Sequence, residues 1–97
     1  MYLEIVTPEA ILFSSEVDSV VVPGINGEFQ ILNNHAPIVS VLNQGKVKVY
    51  LNGQNQLVFD DLHTSIERSP ENDKVLTLKI NSGTIEMKDN KAIILAD

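Results

Sequence analysis

Apolar and polar residues alternate along several stretches of the chain. In Lys46-Val47-Lys48-Val49-Tyr50-Leu51, Val47, Val49 and Leu51 share one face and Lys46, Lys48 and Tyr50 the other. Leu76-Thr77-Leu78-Lys79-Ile80 and Ile85-Glu86-Met87-Lys88 repeat the pattern. A period of two belongs to a strand with one face on a core and one face turned outward. Most other apolar segments are short, rich in Val, Ile and Leu, and bounded by turn residues. Asn52-Gly53 supplies the positive φ values of a tight hairpin, and Ser82-Gly83 and Asp89-Asn90 mark further turns. Pro8, Pro23 and Pro37 fall at strand boundaries, where a missing N–H does no harm. Pro70-Glu71-Asn72-Asp73 marks a polar loop. The pattern predicts strands at 2–6, 10–14, 16–22, 27–32, 38–42, 45–51, 56–60, 74–80, 83–88 and 91–95. Residues 61–68 read equally well as strand or as one helical turn. No segment carries a sustained helical stripe, and no repeat or linker divides the chain. The expectation is one all-β domain over residues 1–97, a sandwich or barrel of about ten strands.

Length and charge narrow the picture. A chain of 97 residues makes one domain. Its size lets it bury roughly 60–70% of the surface that the unfolded chain exposes. There is no Cys, so neither a disulfide nor a thiolate metal site is available. Thirteen acidic against seven basic residues give a net charge of −6. Such a surface disfavours nucleic acid and anionic headgroups and leaves basic protein partners open. Met1-Tyr2-Leu3-Glu4-Ile5 has neither a basic region nor a long apolar run, so it does not read as a signal peptide. No apolar run approaches the roughly twenty residues of a membrane helix, so no direct lipid insertion is expected.

The chain is poor in catalytic groups. It has two His, no Cys and one Arg. His35 and His63 stand far apart in sequence, with no HxxxH or HExxH spacing, so no metal site is expected. No GxxxxGK[ST] or GxGxxG cradle occurs, and Pro23-Gly24-Ile25-Asn26-Gly27 reads as a turn. Asp60-Asp61 is an acidic pair, but neighbours on a strand point to opposite faces. His35, in Asn33-Asn34-His35-Ala36-Pro37, reads as a loop residue that shapes the loop or meets a partner. Pro37 restricts Ala36 and stiffens that loop, and a stiff loop loses little entropy on docking. No catalytic residue, cofactor or small-molecule ligand is expected.

Several segments occur in an order that resembles one family. They are Leu3-Glu4-Ile5-Val6-Thr7-Pro8-Glu9, Leu12-Phe13-Ser14, Val20-Val21-Val22-Pro23-Gly24, Gly27-Glu28-Phe29-Gln30-Ile31-Leu32 and Asn34-His35-Ala36-Pro37. The likeness resumes in Ser82-Gly83-Thr84-Ile85-Glu86-Met87 and Ala92-Ile93-Ile94-Leu95-Ala96-Asp97. Order and spacing resemble the epsilon subunit of the bacterial rotary ATP synthase. The resemblance implies a two-sheet β-sandwich in the central stalk. It implies a non-catalytic rotor subunit that packs on the gamma subunit and rests on the membrane-embedded ring of c subunits, coupling proton- or sodium-driven rotation to ATP synthesis. It implies a peripheral place on the cytoplasmic face of the bacterial inner membrane. Glu28, Asn33, Asn34 and His35 fall on positions expected to dock on the ring. The gamma-facing set is expected around Val41, Leu42, Asn43 and Gln44, with Ile80, Ser82, Gly83 and Ile85.

The chain departs from the family pattern in two places. The common bacterial pattern continues past the Leu-Ala-Asp ending into a helical hairpin used for self-inhibition, and this chain stops at Asp97. A domain without that hairpin is the expectation. Residues 54–74 are longer than the usual hairpin, and Leu57-Val58-Phe59 within them calls for burial, as an added strand or as cover for a sheet edge. The alternatives to a rotor subunit are a free-standing β-sandwich adaptor or ligand module, since fold does not fix function, and, less supported by the residues, a small hydrolase.

Overall fold

The computed structural model describes residues 1–51, 66–70, 72 and 74–97. The expected strand at 56–60 lies outside the described residues, as do Asp60, Asp61, His63 and most of the 54–74 insertion. Among the described residues ten strands are present: β1 Tyr2–Val6, β2 Ile11–Glu16, β3 Ser19–Gly24, β4 Gly27–Leu32, β5 Ile38–Leu42, β6 Gly45–Tyr50, β7 Ile66–Arg68, β8 Val75–Ile80, β9 Gly83–Lys88 and β10 Lys91–Ala96.

Three strand starts differ from the sequence reading, and backbone hydrogen bonds accompany each. The Thr7 and Ala10 N–H groups donate to each other's carbonyls at 2.9 and 3.3 Å, which holds 7–10 as a turn and starts β2 at Ile11. The Val17 N–H donates to Met1 and the Asp18 N–H to Tyr50, so β3 begins only at Ser19. Strand β8 begins at Val75, one residue after the expected 74, where the Val75 N–H donates to the Asn72 carbonyl at 3.1 Å. In the ambiguous stretch 61–68, the described end is strand: β7 pairs antiparallel with β8 through Ile66↔Leu78 to Arg68↔Leu76.

The pairing order is β2-β1-β10-β9-β5-β3-β6-β8-β7, with β4 on the other edge of β3. The path divides into two five-stranded layers. One layer is β2-β1-β10-β9-β5 and the other is β4-β3-β6-β8-β7. Among the described residues a single bridge, Gly24↔Leu42, joins them. Strand β3 makes this possible by changing partner. Its first residues pair with β6 through Ser19↔Tyr50, Val20↔Val49 and Val21↔Lys48, and its last meets β5. Pro23, which has no N–H to give to a ladder, sits at the changeover. The Pro23 carbonyl still accepts from the Asn43 N–H at 2.8 Å. The first and last strands lie side by side and parallel, from Tyr2↔Lys91 to Val6↔Leu95.

The inward parity of every layer feeds one core. Leu3 and Ile5 of β1, Ile85 and Met87 of β9, and Ala92 and Ile94 of β10 are buried from one side. Val20, Val22, Val47, Val49, Leu76, Leu78 and Ile80 are buried from the other. Phe29, Ile38 and Leu51 close its margins. This is the two-sheet β-sandwich that the resemblance implied. The β9–β10 hairpin turns on Asp89 and Asn90, at φ 53° and 59°. Two successive positive values match the twist of the strands they join.

Candidate docking surfaces

The turns gather at two ends of the sandwich. One end holds the β3–β4 turn, Asn43-Gln44, Asn81-Ser82 and the Thr7–Ala10 turn. The other holds Met1, Val17-Asp18, the Asn33–Pro37 loop and the Asp89-Asn90 turn. Glu28 begins β4, and Asn33, Asn34 and His35 follow its end. The strand therefore separates Glu28 from the other three expected ring-docking residues, and brings those three together in one loop. At about 3.3 Å per residue, Glu28 and Asn33 stand roughly 17 Å apart.

All five residues of the Asn33–Pro37 loop are exposed. Burial does not hold it, so its shape depends on hydrogen bonds and on Pro37. The His35 N–H donates to the Leu32 carbonyl at 3.2 Å, closing the turn. His35 Nδ1 lies 2.7 Å from the Ala36 carbonyl. A carbonyl can only accept, so Nδ1 carries a proton in this contact. Asn34 is left-handed at φ 62°, a conformation that Asn tolerates. Its N–H donates to Asn90 Oδ1 at 2.7 Å. The Met1 ammonium donates to Asn33 Oδ1 and to the Val17 carbonyl, and lies 3.3 Å from Glu16 Oε2.

At the other end, the Glu28 carboxylate stands 3.6 Å from Lys48 Nζ. Both side chains are substantially exposed, so water screens the pair. Exchanging Lys48 for a partner's cation would cost Glu28 little.

The expected gamma-facing residues divide by parity. Leu42, Ile80 and Ile85 point into the core, so their side chains support a surface and do not form it. Val41, Asn43, Gln44 and Ser82 are exposed.

The outer face of the first layer carries a feature that the alternation argument passed over. Val41 pairs with Thr84, Thr84 with Leu95, Leu95 with Val6, and Val6 with Ile11. One row thus crosses all five strands, and apart from Thr84 it is apolar. Val41 and Leu95 are each 54% exposed and Ile11 63%. Val39, in the next row beside Glu86, is 76% exposed. The row opens at its end into a groove of about 540 Å³ lined by Val6, Thr7, Pro8, Ser82, Gly83 and Leu95 among others. Single exposed apolar residues are ordinary, whereas a contiguous band marks a contact surface. Among the described residues the opposite outer face carries Lys46, Lys48, Tyr50, Thr77 and Lys79, with Val21, Leu32 and Val75 between them, so its apolar residues are interspersed with charged and polar ones. Among the described residues no three His, Asp or Glu side chains are placed to hold a metal ion.

Comparison with known proteins agrees with this architecture. Residues 1–60 match the family model of the ATP synthase delta/epsilon chain, beta-sandwich domain. The chain is 38% identical over 95 residues to an ATP synthase epsilon chain of Chlorobaculum tepidum, covering 98% of this chain and 86% of that one. It is 35% identical to the ATP synthase epsilon chain of Desulforamulus reducens, again over 98% of this chain but 57% of the relative. Among solved structures, a chain of the Euglena gracilis mitochondrial ATP synthase superposes with TM-score 0.72 at 18% identity, over 97% of this chain and 48% of that one. A chain from the central stalk and c-ring of the Tetrahymena thermophila mitochondrial ATP synthase gives TM-score 0.68 at 14% identity, over 98% of this chain and 61% of that one. At those identities the superpositions speak to the fold alone.

Proposed function

The chain belongs to the delta/epsilon-chain family of ATP synthase, and on that premise we propose that it is a non-catalytic rotor subunit joining the gamma subunit to the ring of c subunits. It carries no chemistry of its own. It transmits torque, so that ion-driven rotation of the ring reaches the catalytic head. Its place is peripheral, at the cytoplasmic face of the bacterial cell membrane.

The observation that carries the reading is the apolar row Val41–Thr84–Leu95–Val6–Ile11 on the outer face of the first layer. A sandwich that worked alone would gain from polar residues there. A subunit that spends its life against a partner gains instead from removing that apolar area from water, at about 25 cal/mol per Å². We assign this face to gamma, with Val41, Asn43, Gln44, Ser82 and Gly83 along its rim. The Asn33–His35 loop is assigned to the ring. Its exposed amides and the exposed imidazole of His35 suit the polar loops of a membrane ring. Glu28, at the opposite end, offers a carboxylate to a cation of whichever partner reaches it.

A photo-crosslinking series tests the assignment. A benzophenone attached at Leu95→Cys should join this chain to gamma in the assembled enzyme, and one at Val21→Cys on the opposite face should not. Equal labelling from both positions would refute the face assignment.

A further inference from the structure

We propose that Asn90 is a positioning residue for the Asn33–Pro37 loop: its side-chain oxygen holds the Asn34 N–H and thereby fixes the shape in which the loop is presented. Asn90 lies 56 positions away in sequence, on the turn between β9 and β10, and belongs to none of the expected docking residues. The inference rests on the reading that this loop docks on the ring.

Three observations combine. First, every residue of the loop is exposed, so its shape rests on hydrogen bonds, including that of the Met1 ammonium to Asn33 Oδ1, more than on packing. Second, Asn34 is left-handed at φ 62°, and its N–H donates to Asn90 Oδ1 at 2.7 Å. Third, Asn90 is itself fixed from two directions. It occupies the second positive-φ position of a tight hairpin, at φ 59°, and its carbonyl accepts from the Tyr2 N–H at 3.1 Å. The side chain that grips Asn34 is therefore built on a frame of β1, β9 and β10. Position and orientation pass from that frame to Asn34, and from Asn34 to the adjacent His35. A loop ordered in advance loses less freedom on docking than one ordered by its partner.

The test uses two substitutions that both keep the turn. Asn90→Gly accepts the positive φ and removes the oxygen. Asn90→Asp keeps an acceptor oxygen at the same reach and also tolerates the left-handed conformation. Amide hydrogen exchange at Asn34, read by NMR on the free chain, and affinity for purified c-ring in detergent are measured for each. In Asn90→Gly the Asn34 amide should exchange about fivefold faster, as expected for one lost solvent-accessible hydrogen bond. Ring affinity should fall by a similar factor, with gamma binding unchanged. Asn90→Asp should restore both readouts. Unchanged Asn34 exchange in Asn90→Gly would overturn the proposal. So would full ring affinity in Asn90→Gly alongside weakened affinity in His35→Ala. If His35→Ala also leaves ring affinity intact, the docking assignment is what fails, and the exchange rates alone decide whether Asn90 holds the loop.

Discussion

Glu28 and His35 occupy opposite ends of the chain segment built around β4, with Gly27–Leu32 as the strand between the two turns. Both fall on positions that the family resemblance assigns to ring docking. Residues so far apart share no partner group and do not couple directly. The Glu28→Ala and His35→Ala effects on ring affinity should therefore add within about 0.5 kcal/mol in a double-mutant cycle. A coupling well above that would mean that both touch one ring element, and the geometry described here would be wrong.

Leu95 supplies the centre of the apolar row, between Thr84 and Val6. Its side chain is 54% exposed, so a polar replacement leaves the core intact. Leu95→Lys should cost the free domain about 1 kcal/mol or less. It should weaken gamma binding by about thirtyfold or more, the loss typical of a central interface residue. Titration calorimetry with gamma, together with a melting curve of the free domain, checks both halves.

Gly83 opens β9 opposite Ala96. A Cβ at this position would lie 2.5 Å from the Leu95 carbonyl oxygen, a backbone atom that cannot swing aside. Gly83→Ala should force β9 and β10 apart and destabilise the domain by about 1–3 kcal/mol. In a chain of this size that is a fall in melting temperature of several degrees, roughly 4–8 °C for each kcal/mol. The same variant widens the end of the groove, so gamma affinity should fall with it.

The Glu28–Lys48 pair makes the contrasting case. At 3.6 Å and with both side chains substantially exposed, it should contribute under about 1 kcal/mol. Lys48→Ala should shift the melting temperature only slightly, and the shift should shrink as salt rises. Unfolding curves at low and high ionic strength measure it.

Much of this fold was legible because one-sided strands announce themselves. Val47, Val49, Leu76, Leu78, Ile80, Ile85 and Met87 all face the core, as their alternation required. The changeover at Pro23 was marked only as a boundary, because nothing local tells that β3 serves two layers. The starts of β2 and β3 were misplaced by short-range hydrogen bonds at Thr7–Ala10 and Val17-Asp18 that apolar periodicity does not sense. The apolar row was visible in part. Ile38-Val39-Ser40-Val41-Leu42 and Ala92-Ile93-Ile94-Leu95-Ala96 carry apolar residues on both parities. Such a run reads as a strand covered on both sides. Its joining with Val6 and Ile11 into one band depends on registers between strands distant in the chain. The hold of Asn90 on Asn34 has the same origin and no sequence signature.

The most direct test of the rotor reading is native mass spectrometry of this chain mixed with the gamma subunit of the same organism. A one-to-one complex is predicted for the wild-type chain, and its loss is predicted for Leu95→Lys with both proteins folded. Absence of any complex between folded wild-type proteins would contradict the account, and the apolar face would then need another partner.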